Sequence, residues 1–342
     1  MTVLGQHNLN QQTGKLKMRS SVLAVIASTS LLAVMAGPVH AVAYPSKPVS
    51  LVVGYPTGGG TDIIARIVAN QLSEELGQPV IVENRAGATG TIGANHVAKA
   101  TPDGYTLLLS AGSDITITKL TVPTLPYNVY HDFAPVSRVA RTPFVMVTNH
   151  SVPATTVKDF VDYAKQHEST TNVSASATFS YLNGARFKNM VGLNLVSVQY
   201  KGAAQALTDL IGNHVQLGFE TVSVSLPQLE AKQIKALAVA SEERSPYLPE
   251  VPTFAESGFP DFVSYVPYGV LAPKGTPEDV VEKLRAALNR IIESPAVQKQ
   301  MEAQAMEPVF DDTPEKYMED LAATTDLWTK VAREIGFEPG KN

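Results

Sequence analysis

A run of three glycines, Gly58–Gly60, separates an apolar stretch from a segment with helical periodicity. The apolar stretch, Leu51–Val53, is short and β-branched, which is typical of a parallel strand buried on both faces. Glycines let a ligand approach the main chain, and free N–H groups at a helix start attract anions. The pattern therefore favours backbone capture of a negatively charged group, although many such turns bind nothing.

The helix after this turn is predicted from apolar residues at every fourth position between Ile64 and Leu76. Gly77 follows as a stop signal, and Thr61 or Asp62 is expected to cap the start. The turn lacks the Gly-Lys-Ser/Thr ending of a P-loop and the G-x-G-x-x-G spacing of a dinucleotide site. Nucleotide binding is therefore not predicted here.

Two more strands are followed by small polar turns. Pro79–Val82 leads into Glu83–Gly93, and Tyr105–Leu109 leads into Ser110–Ser113. In an open parallel sheet, ligands bind outside the carboxyl ends of the strands. Three such turns at one edge predict a shared site, with Ser110 among its candidates.

The middle of the chain repeats the alternation of strand and helix. Strands are predicted in Asn172–Ser180 and Val196–Gln199, each before a helical segment, and in Val215–Phe219 and Ile234–Ala240. This order predicts an α/β fold with a second region built like the first.

Two connections between these regions are expected. Separate strands are predicted at Val136–Ala140 and Phe144–Val147, with a crossing at Thr142–Pro143, and a return strand at Tyr268–Leu271. Three closing helices are then predicted, each with proline at the first helical position. The residues that precede these prolines are Thr276, Ser294 and Thr313. In the last helix, Trp328 is predicted to lie in the core.

The N-terminus has the composition of an export signal, predicted as residues 1–43. A basic region of Lys15, Lys17 and Arg19 precedes an apolar stretch, and cleavage is expected after Ala41 or Ala43. Translation could start at Met1 or Met18, and an uncleaved N-terminal anchor is the alternative.

Removing the predicted signal leaves 24 basic and 32 acidic residues, a formal charge of −8, which argues against nucleic acid and anionic membranes as partners. The sequence has no cysteine, so disulfides, thiolate metal sites and a cysteine nucleophile are excluded. The composition fits a protein exported to a periplasm.

No catalytic or metal-binding pattern is present in the sequence. There is no G-x-S-x-G nucleophile elbow, and the histidines show neither H-x-H nor H-E-x-x-H spacing. We therefore predict no catalytic residues, no metal and no cofactor. An enzyme acting on a carboxylate or phosphate ester remains the alternative, with Asp62 and Tyr200 as its only starting points.

The chain resembles the substrate-binding proteins of tripartite tricarboxylate transporters, the Bug-type or TctC-like periplasmic receptors. The motifs that carry this resemblance span most of the chain. They are Tyr44–Val49, Gly58–Asp62, Glu83–Ala88, Ile92–Ala94, Pro102–Thr106, Tyr200–Gly202, Leu237–Val239, Arg244-Ser245, Val251–Thr253, Glu256–Gly258, Ala272-Pro273 and Gly275–Pro277.

The resemblance implies an α/β fold of two doubly wound lobes, of periplasmic binding protein type and type II-like, joined by hinge strands. Residues 44–142 with 267–342 would form the first lobe and residues 143–266 the second. Small carboxylates would bind between the lobes, with a membrane permease or a sensor kinase as partner. We expect a monomer, and a ligand-free sensory or scaffold protein is a further alternative.

Site residues are carried over from the resemblance for each lobe. In the first lobe, a loop that holds a carboxylate partly through water would comprise Tyr55, Thr57, Gly58, Gly59 and Asp62. In the second lobe, the ligand region would be Ser176–Tyr181, including Ser176, Thr178 and Tyr181, with Tyr200, Lys201 and Thr221 nearby. Asp62 is expected to order the loop or orient water, because its charge would repel an anion. Lys201 is either a charge partner for the ligand or a solvated lysine.

The sequence departs from the family pattern at several site positions. Thr57 replaces a usual proline, Tyr181 a common histidine, and Pro267 lies near a usual tryptophan. Ala175 and Ala177 stand in a normally glycine-rich loop, where their side chains narrow the space for a ligand. The identity of the carboxylate therefore does not follow from the resemblance.

Overall fold

The computed structural model describes residues 44–122, 124–310 and 313–337. The export signal predicted at residues 1–43 lies outside the described residues. The elements below belong to one unit, Lys47–Asn342.

A mixed β-sheet forms the centre of this unit, with helices on its faces. The strands are β1 (Val49–Val53), β2 (Val80–Asn84), β3 (Thr106–Ser110), β4 (Phe133–Asn149), β5 (Asn172–Ala175), β6 (Val196–Gln199), β7 (Leu217–Thr221), β8 (Ile234–Val239), β9 (Tyr265–Pro273) and β10 (Glu307–Pro308). Their order is β2-β1-β3-β9-β4-β7-β5-β6, and β8 and β10 each pair with β4.

Helices follow most of the strands. They are α1 (Gly60–Leu76), α2 (Thr91–Ala98), α3 (Thr118–Thr121), α4 (Val129–Asp132), α5 (Val157–Gln166), α6 (Thr178–Val191), α7 (Ala203–Ile211), α8 (Val222–Glu230), α9 (Glu278–Glu293), α10 (Pro295–Glu302) and α11 (Pro314–Glu334). Short 3₁₀ turns lie at Ala88–Gly90 and Glu168–Thr170. Within the described residues, no helix is both long and apolar enough to span a membrane.

The first strand and helix form as their sequence pattern predicts. Strand β1 lies between β2 and β3 and is parallel to both, and Leu51–Val53 is fully buried. Helix α1 buries Ile64, Val68 and Leu72 of its predicted apolar stripe and is capped at its end by Gly77, whose φ of +66° is left-handed. The helix begins at Gly60, its cap residue is Gly59, and no side chain caps it. The predicted cap at Thr61 or Asp62 was therefore wrong.

Strand β4 is continuous, whereas the sequence predicted two strands around Thr142–Pro143. Up to Pro143, β4 pairs with β9 in antiparallel register. From Phe144 onward, its partners are β7 and β8. Proline has no N–H to donate, and Pro143 stands where one ladder ends, so it is tolerated inside the strand.

The exchange of partners at Pro143 falls where the first lobe boundary was predicted. The return strand β9 starts at Tyr265, close to the second predicted boundary. The division into lobes at residues 142 and 267 nevertheless stays a prediction.

The closing helices agree with the sequence in two cases of three. Pro295 and Pro314 occupy the first turns of α10 and α11, and the Thr313 side chain accepts a hydrogen bond from the Lys316 amide. Helix α9 starts one residue later than predicted, so that Pro277 is its cap residue. Trp328 is 1% exposed and lies in the core, as predicted.

Candidate ligand-binding site

The glycine loop between β1 and α1 presents open backbone. Gly58 has a φ of +85°, a conformation that favours glycine. A Cβ atom added at Gly58 would meet nothing within 4 Å. At Gly59, an added Cβ would lie 3.6 Å from the Pro56 carbonyl oxygen, an ordinary contact. The loop therefore leaves its main chain accessible to another molecule.

Asp62 holds the glycine loop in place. Its carboxylate accepts hydrogen bonds from the Gly58 amide at 2.9 Å, from Arg66 at 2.9 and 3.0 Å, and from Asn84 Nδ2 at 3.0 Å. Burial acts to raise the pKa of Asp62, but the hydrogen bonds from Arg66, Gly58 and Asn84 outweigh it and lower the pKa. The carboxylate is thus ionised and paired, and it orders the loop. Loop order is one of the two roles that the sequence analysis expects for Asp62.

Asn84, the last residue of β2, was not among the predicted site residues. Its Nδ2 atom also donates to the Tyr55 carbonyl at 3.1 Å, and its Oδ1 accepts from the Thr57 hydroxyl at 3.3 Å. Asn84 therefore ties both ends of the turn that leads into the glycine loop. The signal that could have found it is its place at the carboxyl end of a strand beside β1.

Tyr55 lies between β1 and the glycine loop in sequence and is half-buried. Its hydroxyl shares a 2.7 Å hydrogen bond with Ser113 Oγ and donates to the Thr89 carbonyl at 3.4 Å. Burial, aided by the charge of Asp114, raises the pKa of Tyr55 well above its ordinary value. The phenol therefore stays protonated and connects three turns at this edge of the sheet.

Ser110 lies inside the core and has no exposed surface. Its hydroxyl donates to Asp114 Oδ1 at 2.6 Å and accepts from the Gly112 amide at 2.9 Å. Burial raises the pKa of Asp114 to about 7. The Ser110 hydroxyl thus makes both of these hydrogen bonds within its own loop.

A cavity of about 410 Å³ adjoins the glycine loop and is called here the glycine-loop pocket. It joins the loop to the first turns of the helices that follow β6 and β7, and to the segment after α10. Its lining residues are Gly58, Gly59, Gly60, Ile63, Ala203, Ala204, Leu207, Ser223, Val224, Gln228, Gln304 and Met306.

The lining of the glycine-loop pocket has a definite chemistry. Ile63, Leu207 and Met306 offer apolar contact, while Gln228 and Gln304 offer amide donors and acceptors. None of the lining residues has an ionisable side chain. The pocket can therefore bind a polar molecule through neutral groups, and its lining supplies no side chain that would exchange a proton with it.

Three of the predicted second-lobe residues lie at the strand ends beside this pocket. The Thr221 hydroxyl is 3.1 Å from Oγ of the lining residue Ser223. Lys201 is exposed, two residues before the lining residue Ala203. The Tyr200 hydroxyl donates to Asp209 at 2.8 Å, and burial followed by this carboxylate raises the pKa of Tyr200 to about 12. These residues flank the pocket without lining it.

The three predicted site residues around the start of α6 have different surroundings. Ser176 is 9% exposed, and its hydroxyl donates to Glu220 Oε2 at 2.9 Å. Thr178 begins α6 and is half-buried. Tyr181 packs on Phe337 with ring centroids 5.7 Å apart. Thr178 and Tyr181 are thus not brought to the lining of the glycine-loop pocket.

In open α/β sheets, ligands bind outside the carboxyl ends of the strands, in solute-binding receptors as in enzymes. Residues 64–337 match the model of a protein family, the tripartite tricarboxylate transporter family receptors. The chain belongs to this family, and the resemblance inferred from the sequence is confirmed.

Relatives match over nearly their whole lengths. BugT of Bordetella pertussis (strain Tohama I) is 36% identical over 318 residues, covering 92% of this chain and 97% of BugT. A solved R. palustris protein with adipate is 34% identical, covers 86% of this chain and 99% of its own, and gives a TM-score of 0.79. MatC from Rhodopseudomonas palustris, solved with malate, is 29% identical, with coverages of 84% and 99% and a TM-score of 0.75. The match to the solved periplasmic binding protein BugD, at 33% identity and a TM-score of 0.75, confirms the predicted fold.

Proposed function

We propose that the protein is a periplasmic receptor that captures a small carboxylate in the glycine-loop pocket and delivers it to a tripartite tricarboxylate-type permease. The observation that carries the proposal is the open glycine loop facing neutral hydrogen-bonding side chains across a cavity of about 410 Å³. The solved relatives with adipate and malate support a carboxylate as the ligand class.

In this proposal, backbone N–H groups at Gly59 and Gly60 receive one carboxylate, directly or through water. The dipole of α1 favours the negative charge there. The carbon chain of the ligand lies against Leu207 and Met306, and Gln228 and Gln304 receive its polar groups.

The proposed ligand also joins two lobes, residues 44–142 with 267–342 and residues 143–266. Closure would follow only from a preference of the acid for the closed state. The pocket lining supports this arrangement, because it combines residues from both ranges, such as Gly59 and Ser223.

A thermal-shift screen against mono-, di- and tricarboxylates and amino acids tests the proposal. An acid that binds only the native state raises the stability by ~2.7 kcal/mol at a hundredfold excess over its dissociation constant. Calorimetry would then give the stoichiometry, expected to be one. Silence across all the acids would contradict carboxylate binding, and conversion of a bound acid into product would favour an enzyme instead.

The variant Gly59→Asp tests the placement of the ligand. The backbone at Gly59 has a φ of −79° that any residue can adopt, so the variant should fold. Its new negative charge would face the bound carboxylate, and we expect affinity to fall at least about tenfold, or ~1.4 kcal/mol. Gly59→Ala controls for bulk alone. A folded Gly59→Asp protein with unchanged affinity would contradict the site.

We also propose that residues 1–43 are an export signal. Periplasmic binding proteins among the solved relatives support this location. Protein recovered from the periplasm of an expressing host should begin at Val42 or Tyr44. An intact N-terminus in that fraction would contradict cleavage.

A further inference from the structure

Glu220, near the carboxyl end of β7, is a buried acid with few partners. It is 4% exposed. Its Oε2 atom lies 2.9 Å from Ser176 Oγ, whereas Oε1 has no hydrogen-bond partner among the described residues. An ionised carboxylate in such surroundings is costly. Burial therefore shifts the equilibrium of Glu220 toward its neutral form.

The surroundings of Glu220 supply little compensating charge. Val145 of β4 is its paired neighbour in the sheet. Burial raises the pKa of Glu220 to about 7, against the lowering effect of the Ser176 and Ser180 hydroxyls. These two hydroxyls are the polar groups that act on the acid.

Most titratable groups on the elements around β7 have other partners. On α6, Arg186 donates to the Asp261 and Val263 carbonyls, and Lys188 donates to the Leu195 carbonyl. The remaining groups on the neighbouring elements are Tyr181 on Phe337, Asp209 bonded to Tyr200, Arg141 bonded to Glu307, Arg138 paired with Asp320, and Glu230 at the end of α8.

Ser176 has a central position at the edge of the sheet that carries the glycine-loop pocket. Strand β5 lies between β7 and β6. The β5–β6 pairing ends at Ala175 and Gln199, and β5 pairs with β7 at Val173 and Leu217. Continued past the end of β5, these registers bring Ser176 level with Tyr200 on one side and with Glu220 on the other. The helices after β6 and β7 line the pocket through residues such as Ala203 and Ser223. Ser176 therefore lies between two pocket-lining segments.

The protonation state of Glu220 decides what the Ser176 hydroxyl can do. A serine hydroxyl has one donor and two acceptor sites. When Glu220 is ionised, Ser176 spends its donor on the carboxylate. When Glu220 holds a proton, the acid can donate to Ser176, whose own O–H is then free to turn toward the pocket edge.

We propose that Glu220 is protonated when the carboxylate binds and acts through Ser176 as a proton-linked positioning residue. This inference rests on the proposed function. The proton has two effects that favour an anion, because it frees a hydroxyl donor and removes a like charge. Binding of the acid above neutral pH would thus be accompanied by proton uptake at Glu220.

A carboxyl ¹³C NMR titration of the free protein tests the proton by itself. Comparison with Glu220→Gln identifies the Glu220 signal, and we expect its midpoint near pH 7. A midpoint below about pH 5, the ordinary range of glutamate, would overturn the inference whether or not any acid binds.

Calorimetry with adipate tests the link to binding between about pH 6.5 and pH 9, where adipate remains a dianion. We expect the dissociation constant to rise up to about tenfold per pH unit above pH 7, as for one linked proton. Two buffers of different ionisation enthalpy should report proton uptake. Glu220→Gln should keep the low-pH affinity at every pH, since an amide can donate to Ser176 without titrating.

Asp114→Asn is the matched control. Asp114 is also a buried acid bonded to a serine, but it lies after β3, in the predicted first lobe. It should leave the pH dependence of adipate binding unchanged. A slope that persists in Glu220→Gln, or disappears in Asp114→Asn, would overturn the inference.

Ser176→Ala tests the same link with the Glu220 side chain kept in place, although loss of the hydroxyl raises the pKa of Glu220 further. It should weaken adipate binding about tenfold near pH 6.5 and much less near pH 9, where the hydroxyl is already engaged. Equal weakening at both pH values would reduce Ser176 to a structural role and overturn the inference. If adipate and malate bind at no pH, the proposed function fails for these acids, and the role of Glu220 in binding them fails with it. The NMR midpoint still decides whether Glu220 holds a proton.

Discussion

The Asp62 carboxylate accepts the Gly58 amide at 2.9 Å and thereby fixes the glycine loop from within its own helix. The same carboxylate pairs with Arg66 one turn later. A buried acid that binds a loop amide and a cation is already satisfied, so its charge is not directed at the pocket. The loop can present its backbone to an anion although an aspartate lies next to it.

Asp62→Asn should loosen the loop and reduce both stability and affinity. We expect a loss of about 1–3 kcal/mol in the free energy of unfolding, typical of a broken charged hydrogen bond, and weaker binding of the acid found in the screen. The exposed pair Lys158 and Asp162 has the same four-residue spacing, so Asp162→Asn is the control and should cost much less stability, because water screens the pair.

The effect of Asp62→Asn should depend on pH. Because the pKa of Asp62 is lowered on folding, its contribution is fully present above the ordinary aspartate pKa of about 3.9 and is lost as pH falls through the lowered value. Urea unfolding at several pH values measures this. A stability difference that persists unchanged in strong acid would contradict the assignment.

Gln304 should select ligands by their polar groups. It lies in the wall of the glycine-loop pocket, and Gln304→Leu removes an amide of similar size. We expect dicarboxylates to bind about tenfold more weakly, as for loss of one hydrogen bond to a charged group, and monocarboxylates to change little. Gln166→Leu, at an exposed position on α5, is the control. If dicarboxylates and monocarboxylates lost affinity equally, Gln304 would not be the residue that recognises the second carboxylate.

The sequence predicted the local elements of the site better than its walls. The strand Leu51–Val53 and the helix ending at Gly77 follow from periodicity and a glycine stop, which are local signals. Gln304 joins the pocket from the segment after α10, more than 240 residues after the glycine loop. No local pattern indicates such an approach, because it depends on how distant segments pack.

Ser110 illustrates a second limit of sequence reasoning. Its place at a strand end predicted a ligand contact, and its hydroxyl instead bonds to Asp114 inside the core. Polar residues at a strand end either face the site or hold the turn that forms it. Which role a hydroxyl takes depends on side-chain direction and nearby partners, and Asn84 shows the turn-holding role at a residue that the sequence did not select.

Stability should fall as pH rises from about 5 to 8. The pKa values of Asp114 and Glu220 are raised by burial to about 7, so the folded state holds protons that the unfolded chain releases near pH 4. Each group should cost on the order of 2 kcal/mol over this range. Asp114→Asn and Glu220→Gln should each flatten the curve measured by chemical denaturation, and the exposed control Asp326→Asn should not. A wild-type curve that rises with pH would contradict neutral acids in the core.

Arg141 should restrain movement between the two predicted lobes. It lies just before the residue where β4 changes partners, pairs with Glu307 at 3.1 Å and with Glu242 at 3.8 Å, and stacks on Tyr265 at 4.2 Å. Glu307 belongs to the predicted first lobe and Glu242 to the second, so Arg141 connects them. Arg141→Met should cost about 1 kcal/mol of stability at this partly exposed site.

Small-angle scattering measures the consequence for the proposed lobes. Free Arg141→Met protein should have a larger radius of gyration than wild type, because one restraint on opening is lost, and should bind its acid a few-fold more weakly. Arg244→Met is the matched control, since Arg244 pairs with Glu256 inside the predicted second lobe. If Arg141→Met keeps the wild-type radius and affinity, as Arg244→Met should, the Arg141 contacts do not govern opening. The hinge must then be sought in the β4–β9 backbone pairing itself.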